Sequence, residues 1–351
     1  MRALAYRALH PGRPDYHPNG MATAKIVRFH ALGGPEVLQL EELPVPEPGN
    51  GEVRLRVAAI GLNRAEVMFR QGHYLVEPKL PSNIGYEAAG VVEAVGPDVD
   101  KGLLGKKFST VPCFSPAQYG VYGEVAIVPA YALAAYPEAL SAAEAASIWM
   151  QYITAYGALV HHARITAGDF VLITAASSSV GIAAIEIAKA EGAVSIATTR
   201  TGKKKAELIA LGADHAIATA EEDMVARVKA ISGGKGARVT FDPVAGPGIE
   251  QLAEAAAQGG TIFEYGALSG APTPFPLFAA LSKSLTIQGY TLFDVVSVPE
   301  WRNNAQRYIF EHLEQGRFRP RIARTFPLER IVEAHRYMES NEQIGKIVVT
   351  V

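Results

Sequence analysis

Between residues 170 and 266, short apolar runs alternate with helical segments of about ten residues: FVLITA (170–175), VSIATT (194–199), HAIA (215–218), RVTFD (238–242) and GTIFEYG (260–266). Strands that are apolar without alternation need cover on both faces. Helices between them supply it, so this stretch is predicted to be α/β, a doubly wound parallel sheet. Such sheets bind ligands outside the carboxyl ends of their strands.

The first of these strands runs into a tight turn and a helix, FVLITAASSSVGIAAIEIAKAEG (170–192). Ala176, Ser178 and Gly181 take the places of the glycines in a GxGxxG dinucleotide fingerprint. Those glycines serve the turn, the approach of a pyrophosphate, and helix–strand packing. Only the third is kept here. Ser177, Ser178, Ser179 and Val180 form the turn and helix start, where unpaired N–H groups and the helix dipole favour an anion. The second strand ends in ATTRTGKKK (197–205), without the acid that an NAD site uses on the ribose 2′-hydroxyl. Thr199, Arg200 and Lys204 stand there instead. An arginine fork suits a 2′-phosphate, with lysine as a second charge, so the cofactor expected is NADP(H) rather than NAD.

The chain of 351 residues is too long for one ordinary core. Residues 21–143 read as short alternating strands broken by Gly and Pro, and at Ser141 the rhythm turns helical. After TIQGY (286–290) come helical patterns over Pro299–Gln315 and Leu328–Ser340, then the closing strand KIVVTV. Net charge is −2, which argues against nucleic acid or an anionic membrane surface as partner. No apolar run approaches the ~20 residues of a membrane span. Cys113 is the only cysteine, so neither a disulfide framework nor a cysteine-rich zinc lobe is available. A cytoplasmic location is expected. Residues 1–20 carry no signal-peptide core, and Met21 directly precedes the first strand. They are read as an upstream extension, appended or begun at an early start codon, with no part in function.

Several ordered motifs resemble one family: GGPEVLQLEELPVPEPGNGEVRLRVAAIGLNRAE, LPSNIGYEAAGVVEAVG, ITAYGAL, the SSSVG turn and the GKIVV ending. From about Ala24 to Val351 the chain resembles the zinc-independent, quinone oxidoreductase-like branch of the medium-chain dehydrogenase/reductase superfamily. The resemblance implies a GroES-like, partly open β-barrel catalytic domain (21–143 and 287–351) with a Rossmann domain (144–286) inserted. Substrate and nicotinamide would meet in the cleft between them. It also implies a homodimer joined by edge strands, here TIQGYT. In the zinc enzymes of this family the ligand positions correspond to Asn63, Tyr86 and Met150. Asn and Met are poor zinc ligands, so no metal is expected.

The family's zinc-free activity is hydride transfer from NADPH to a quinone or to the C=C bond of an α,β-unsaturated carbonyl. The partner is thus a small apolar carbonyl or quinone. Asn63, Tyr74 and Tyr86 are the catalytic candidates, the tyrosines as hydroxyl donors to the developing oxygen. Glu87 is read as orienting backbone or arginine partners, and His73 as a solvated loop residue. By resemblance, Thr154, Tyr156, Asp242, Tyr265, Gly266, Phe293 and Lys346 line the cofactor. Two other readings stay open: an enoyl-thioester or polyketide-type enoyl reductase, and a non-catalytic NADPH-binding protein.

Overall fold

The computed structural model describes residues 22–351; the expected extension, residues 1–20, lies outside them. Strands β1 (Thr23–Phe29), β2 (Leu38–Pro44), β3 (Glu52–Gly61), β4 (Ser82–Asn83), β5 (Glu87–Val95), β6 (Lys107–Thr110), β7 (Val125–Pro129) and β8 (Leu133–Ala134) come first. They form a small sheet, β2-β1-β4, packed beside a larger antiparallel one. A helix, Arg64–Arg70, interrupts them. Asn63 caps it with Glu66 three positions into the helix, the reciprocal capping box written in the sequence as Asn-x-x-Glu.

Strands β9 (Phe170–Ile173), β10 (Val194–Thr199), β11 (His215–Ala218), β12 (Ala237–Asp242), β13 (Ala256–Glu264) and β14 (Thr286–Gly289) build the second sheet. Its order is β11-β10-β9-β12-β13-β14 and every pairing is parallel. Leu172, Ile196, Ile217 and Ile262 fill one face of it, while Val171, Ile173, Val239 and Phe263 fill the other. This is the doubly wound arrangement that the apolar runs require.

The chain then returns. β15 (Ile322–Pro327) and β16 (Lys346–Thr350) join the first domain, whose large sheet runs β15-β16-β3-β5-β6-β8 with β7 against β3. Two boundaries differ from the sequence reading. TIQG is the sixth strand of the parallel sheet, so that sheet runs past the division expected at 286/287. β13 starts at Ala256, four residues before the expected GTIFEYG run, because Ala256 already pairs with Ala237 in the sheet.

Candidate functional site

The turn after β9 is built for close approach. Ala175 adopts φ 43°, the left-handed region. Ser178 caps the helix Ser179–Ala190, its hydroxyl oxygen accepting from the Gly181 amide at 3.0 Å. A Cβ on Gly181 would lie 2.6 Å from the Ala176 Cα, so only glycine lets the helix sit this close to the turn. Ser177 to Val180 remain half-buried, with the helix N-terminus behind them. This cradle fits a pyrophosphate. Arg200, at the end of β10, is exposed, and Thr199 beside it is buried. Lys204 is placed differently from the sequence reading. Its Nζ donates to the carbonyls of Asn341 (2.9 Å) and Gln343 (3.0 Å) and to the Ser177 hydroxyl (3.3 Å). Burial lowers its pKa below the usual lysine value.

The other expected cofactor contacts divide. Gly266 lies against Pro243, whose carbonyl would be 2.7 Å from an added Cβ. Tyr265 stacks on Phe241 at 4.0 Å, and its hydroxyl is shut from solvent with Ser178 of the turn beside it. Asp242 is a correction: it accepts from the Thr174 hydroxyl and from the Ala245 amide (2.6 Å), so its carboxylate shapes the turns at the strand ends. Beside it, burial and the Asp242 charge push the Glu264 carboxyl up to about 8. Thr154 is buried with its hydroxyl donated back to the Met150 carbonyl. Tyr156 packs on Tyr308, which reaches Glu191 at the far end of the helix from the phosphate turn. It therefore serves the packing of the helix Pro299–Glu314.

Across the cleft, four polar residues close on one another. Lys346, 1% exposed, donates from Nζ to Asn63 Oδ1 and to Glu87 Oε2, both at 2.5 Å. The other Glu87 oxygen accepts from the Met150 amide at 2.9 Å. Asn63 Nδ2 lies 3.2 Å from the Gly61 carbonyl, Glu66 Oε1 and Glu87 Oε2. Glu66 accepts further from the Asn63 and Tyr86 amides and from the Tyr122 hydroxyl (3.0 Å). Burial pushes the Glu66 carboxyl up to about 7, against the pull of Lys346. Tyr122 meets His335 at 3.3 Å, whose pKa burial and two arginines lower to about 3.

Two expectations change here. Asn63 has both ends of its amide engaged inside the protein, so it positions the floor instead of offering a donor to substrate. Lys346, expected to line the cofactor, is instead buried, with its ammonium bonded to Asn63 and Glu87. Glu87 orients a backbone amide as expected, but its cation is this lysine and not an arginine. Sequence reasoning missed Glu66, although its capping-box spacing was visible, and it missed Tyr122 and His335, for which no local signal existed.

Above this network stands an aromatic group drawn from distant parts of the chain. Tyr86 is fully buried, with ring centroids 6.5 Å from Tyr74, 5.7 Å from Phe114 and 6.2 Å from Phe293. Its hydroxyl is shut from solvent, and the Tyr74 hydroxyl is its polar neighbour. Burial raises the pKa of both tyrosines, which keeps them protonated donors. His73 is exposed. Among the described residues, no group of three or more His, Cys, Asp and Glu side chains is placed to hold a metal ion.

Comparison with known proteins agrees with this anatomy. Residues 49–138 match the family model of the alcohol dehydrogenase GroES-like domain, and 179–309 that of the zinc-binding dehydrogenases. A 2-haloacrylate reductase from Burkholderia is 32% identical, over 92% of this chain and 97% of its own length. Human quinone oxidoreductase is 30% identical, over 94% and 98%. The crystal structure of Escherichia coli quinone oxidoreductase complexed with NADPH superposes with a TM-score of 0.85 at 31% identity, covering 93% of this chain and all of that one.

Proposed function

Because the chain belongs to the medium-chain dehydrogenase/reductase superfamily, in its quinone oxidoreductase-like branch, we propose that it reduces a quinone or the C=C bond of an α,β-unsaturated carbonyl with NADPH and without zinc. The observation that carries this reading is the cleft floor. By the resemblance, Asn63, Tyr86 and Met150 take the places of the family's zinc ligands, and each is tied by side chain or backbone amide into the Lys346–Glu87–Glu66 network. A site without a Lewis acid favours substrates whose electrophilic carbon accepts hydride directly.

NADPH, when bound, supplies the hydride. The turn Ser177–Gly181 and its helix take the pyrophosphate, and Arg200 takes the 2′-phosphate. Tyr86, with Tyr74 beside it, donates a hydrogen bond to the oxygen on which charge develops. A buried hydroxyl whose hydrogen bonding is incomplete costs free energy until such an acceptor arrives. The experiment is turnover of NADPH and of NADH against a panel of quinones, enones and acrylates. NADPH oxidation by at least one acceptor, slowed about tenfold in Tyr86→Phe through loss of one hydrogen bond of ~1.5 kcal/mol, supports the reading. Tight NADPH binding without turnover of any acceptor would favour the cofactor-binding protein instead.

The same reading includes a homodimer. β14 is an outer strand of the parallel sheet, and in the segment just before it Phe275, Phe278 and Leu281 are 64%, 84% and 68% exposed. Sedimentation should give a dimer, and Phe278→Asp with Leu281→Asp a monomer; a monomeric parent would reject the proposal. Placement in the cytoplasm rests on the single cysteine and is tested by cell fractionation. No helix among the described residues is long and apolar enough to cross a membrane.

A further inference from the structure

Residues 341–346 join the two walls of the cleft. On the nucleotide wall, the Gly345 amide donates to the Ser177 carbonyl at 3.0 Å, and Gly345 forms a parallel bridge with Ser178. Lys204 pins the same segment through the carbonyls of Asn341 and Gln343. Gly345 has φ 105°, and a Cβ there would lie 2.4 Å from the Arg321 carbonyl oxygen, so the approach requires glycine. One residue later the chain enters β16, between β15 and β3, and the Lys346 side chain runs into the floor. Its two contacts fix Asn63, which caps the helix Arg64–Arg70, and Glu87, which holds the Met150 amide near the start of the helix Trp149–Tyr156.

We infer that Lys346 is a positioning residue for the reaction proposed above. Its ammonium holds Asn63, Glu87 and the Met150 backbone in register with the phosphate turn to which its neighbour Gly345 is bonded. An ammonium buried away from water needs such partners around it. The Lys346 backbone is fixed by pairing with Ile322 of β15 and by its amide, which donates to the Arg321 carbonyl at 2.7 Å, so the side chain transmits position instead of adapting. A displacement of reacting groups by about 1 Å costs up to about a hundredfold in rate, which makes this linkage consequential although Lys346 touches neither substrate nor cofactor.

The test uses Lys346→Met, which keeps the chain length and removes the charge, and Lys346→Met with Glu87→Gln, which removes both charges and guards against misfolding. Three readouts are taken: NADPH affinity by fluorescence titration, steady-state turnover, and hydrogen exchange at the Met150 amide. The expected result in both variants is NADPH affinity within about threefold of the parent, kcat lower by about ten- to a hundredfold, and faster exchange at Met150. An NADPH affinity that falls as far as kcat/KM would make Lys346 a cofactor contact. Turnover and Met150 exchange unchanged in the double variant would leave it a structural charge only. Either result overturns the inference. The turnover arm rests on the proposed function, but Met150 exchange does not. A parent inactive on every acceptor would therefore sink the function alone, and unchanged Met150 exchange would still sink the inference.

Discussion

On the nucleotide wall of the cleft, polar groups face outward: Arg200 is exposed, and the turn Ser177–Val180 is half-buried above a helix N-terminus. On the opposite wall, Asn63, Glu66, Glu87 and Lys346 are 7%, 1%, 1% and 1% exposed, and each satisfies the others. The first wall is made to be completed by a ligand. The second is already complete. A buried charge with its partners in place gives a fixed shape but no free valence, and the proposed function therefore rests on the aromatic hydroxyls above it. The contrast suits a reaction in which the cofactor brings the reacting hydrogen and the protein supplies alignment.

The largest expected effect separates the walls by stability. Glu87→Ala leaves the Lys346 ammonium buried without its counter-charge and should cost about 3–5 kcal/mol. Arg200→Ala, on the open wall, should stay within about 0.5 kcal/mol. Urea unfolding at neutral pH measures both. A Glu87→Ala loss below about 1 kcal/mol would mean that the closed wall is not held by this pair.

Next comes cofactor choice, where the order reverses. Arg200→Ala should weaken NADPH by about 1.5–3 kcal/mol, roughly ten- to a hundredfold, through loss of a charge-assisted contact. NADH binding should hardly change. Lys204→Ala should lose less for NADPH, because its Nζ is already occupied by two carbonyls. Titration of each variant with both cofactors decides; equal losses for NADPH and NADH would move Arg200 out of the phosphate site.

The smallest effect concerns pH. His335 has its folded pKa depressed to about 3, by burial first and then by Arg70 and Arg64. A depressed group contributes stability that is present above its unfolded pKa and lost as pH falls through the folded one. Glu66, raised to about 7, acts in the opposite sense: its contribution is present at low pH and lost as pH rises toward neutrality. Between roughly pH 5 and 6.5 the two slopes oppose. The stability gap between the parent and His335→Phe should therefore widen as pH rises across that window, by about 1 kcal/mol, and level off above neutrality. A gap independent of pH would show that His335 titrates normally.

The nucleotide wall was largely legible in the sequence and the closed wall was not. A strand, a tight turn and a helix are local, so FVLITAASSSVG announces its geometry within a dozen residues, and Gly181 sits where helix–strand packing demands it. β14 was read as an edge strand only through the family resemblance, because TIQG is short and half-exposed, without the apolar run that marked the other parallel strands. Lys346 pairs with Asn63 and Glu87 across 283 and 259 positions, a contact that no periodicity encodes. Asp242 and Tyr156 follow the same lesson. Motif placement located them near strand and helix ends, but side-chain hydrogen bonding and packing turned them inward.

The most direct test of the account is transfer of deuterium from NADPH labelled at C4 to an enone, with enzyme that has been exhaustively chelated and shown by elemental analysis to hold no zinc. The account expects deuterium on the carbon of the reduced C=C bond, at a rate equal to that of the untreated enzyme. Loss of transfer on chelation, restored by added zinc, would contradict it.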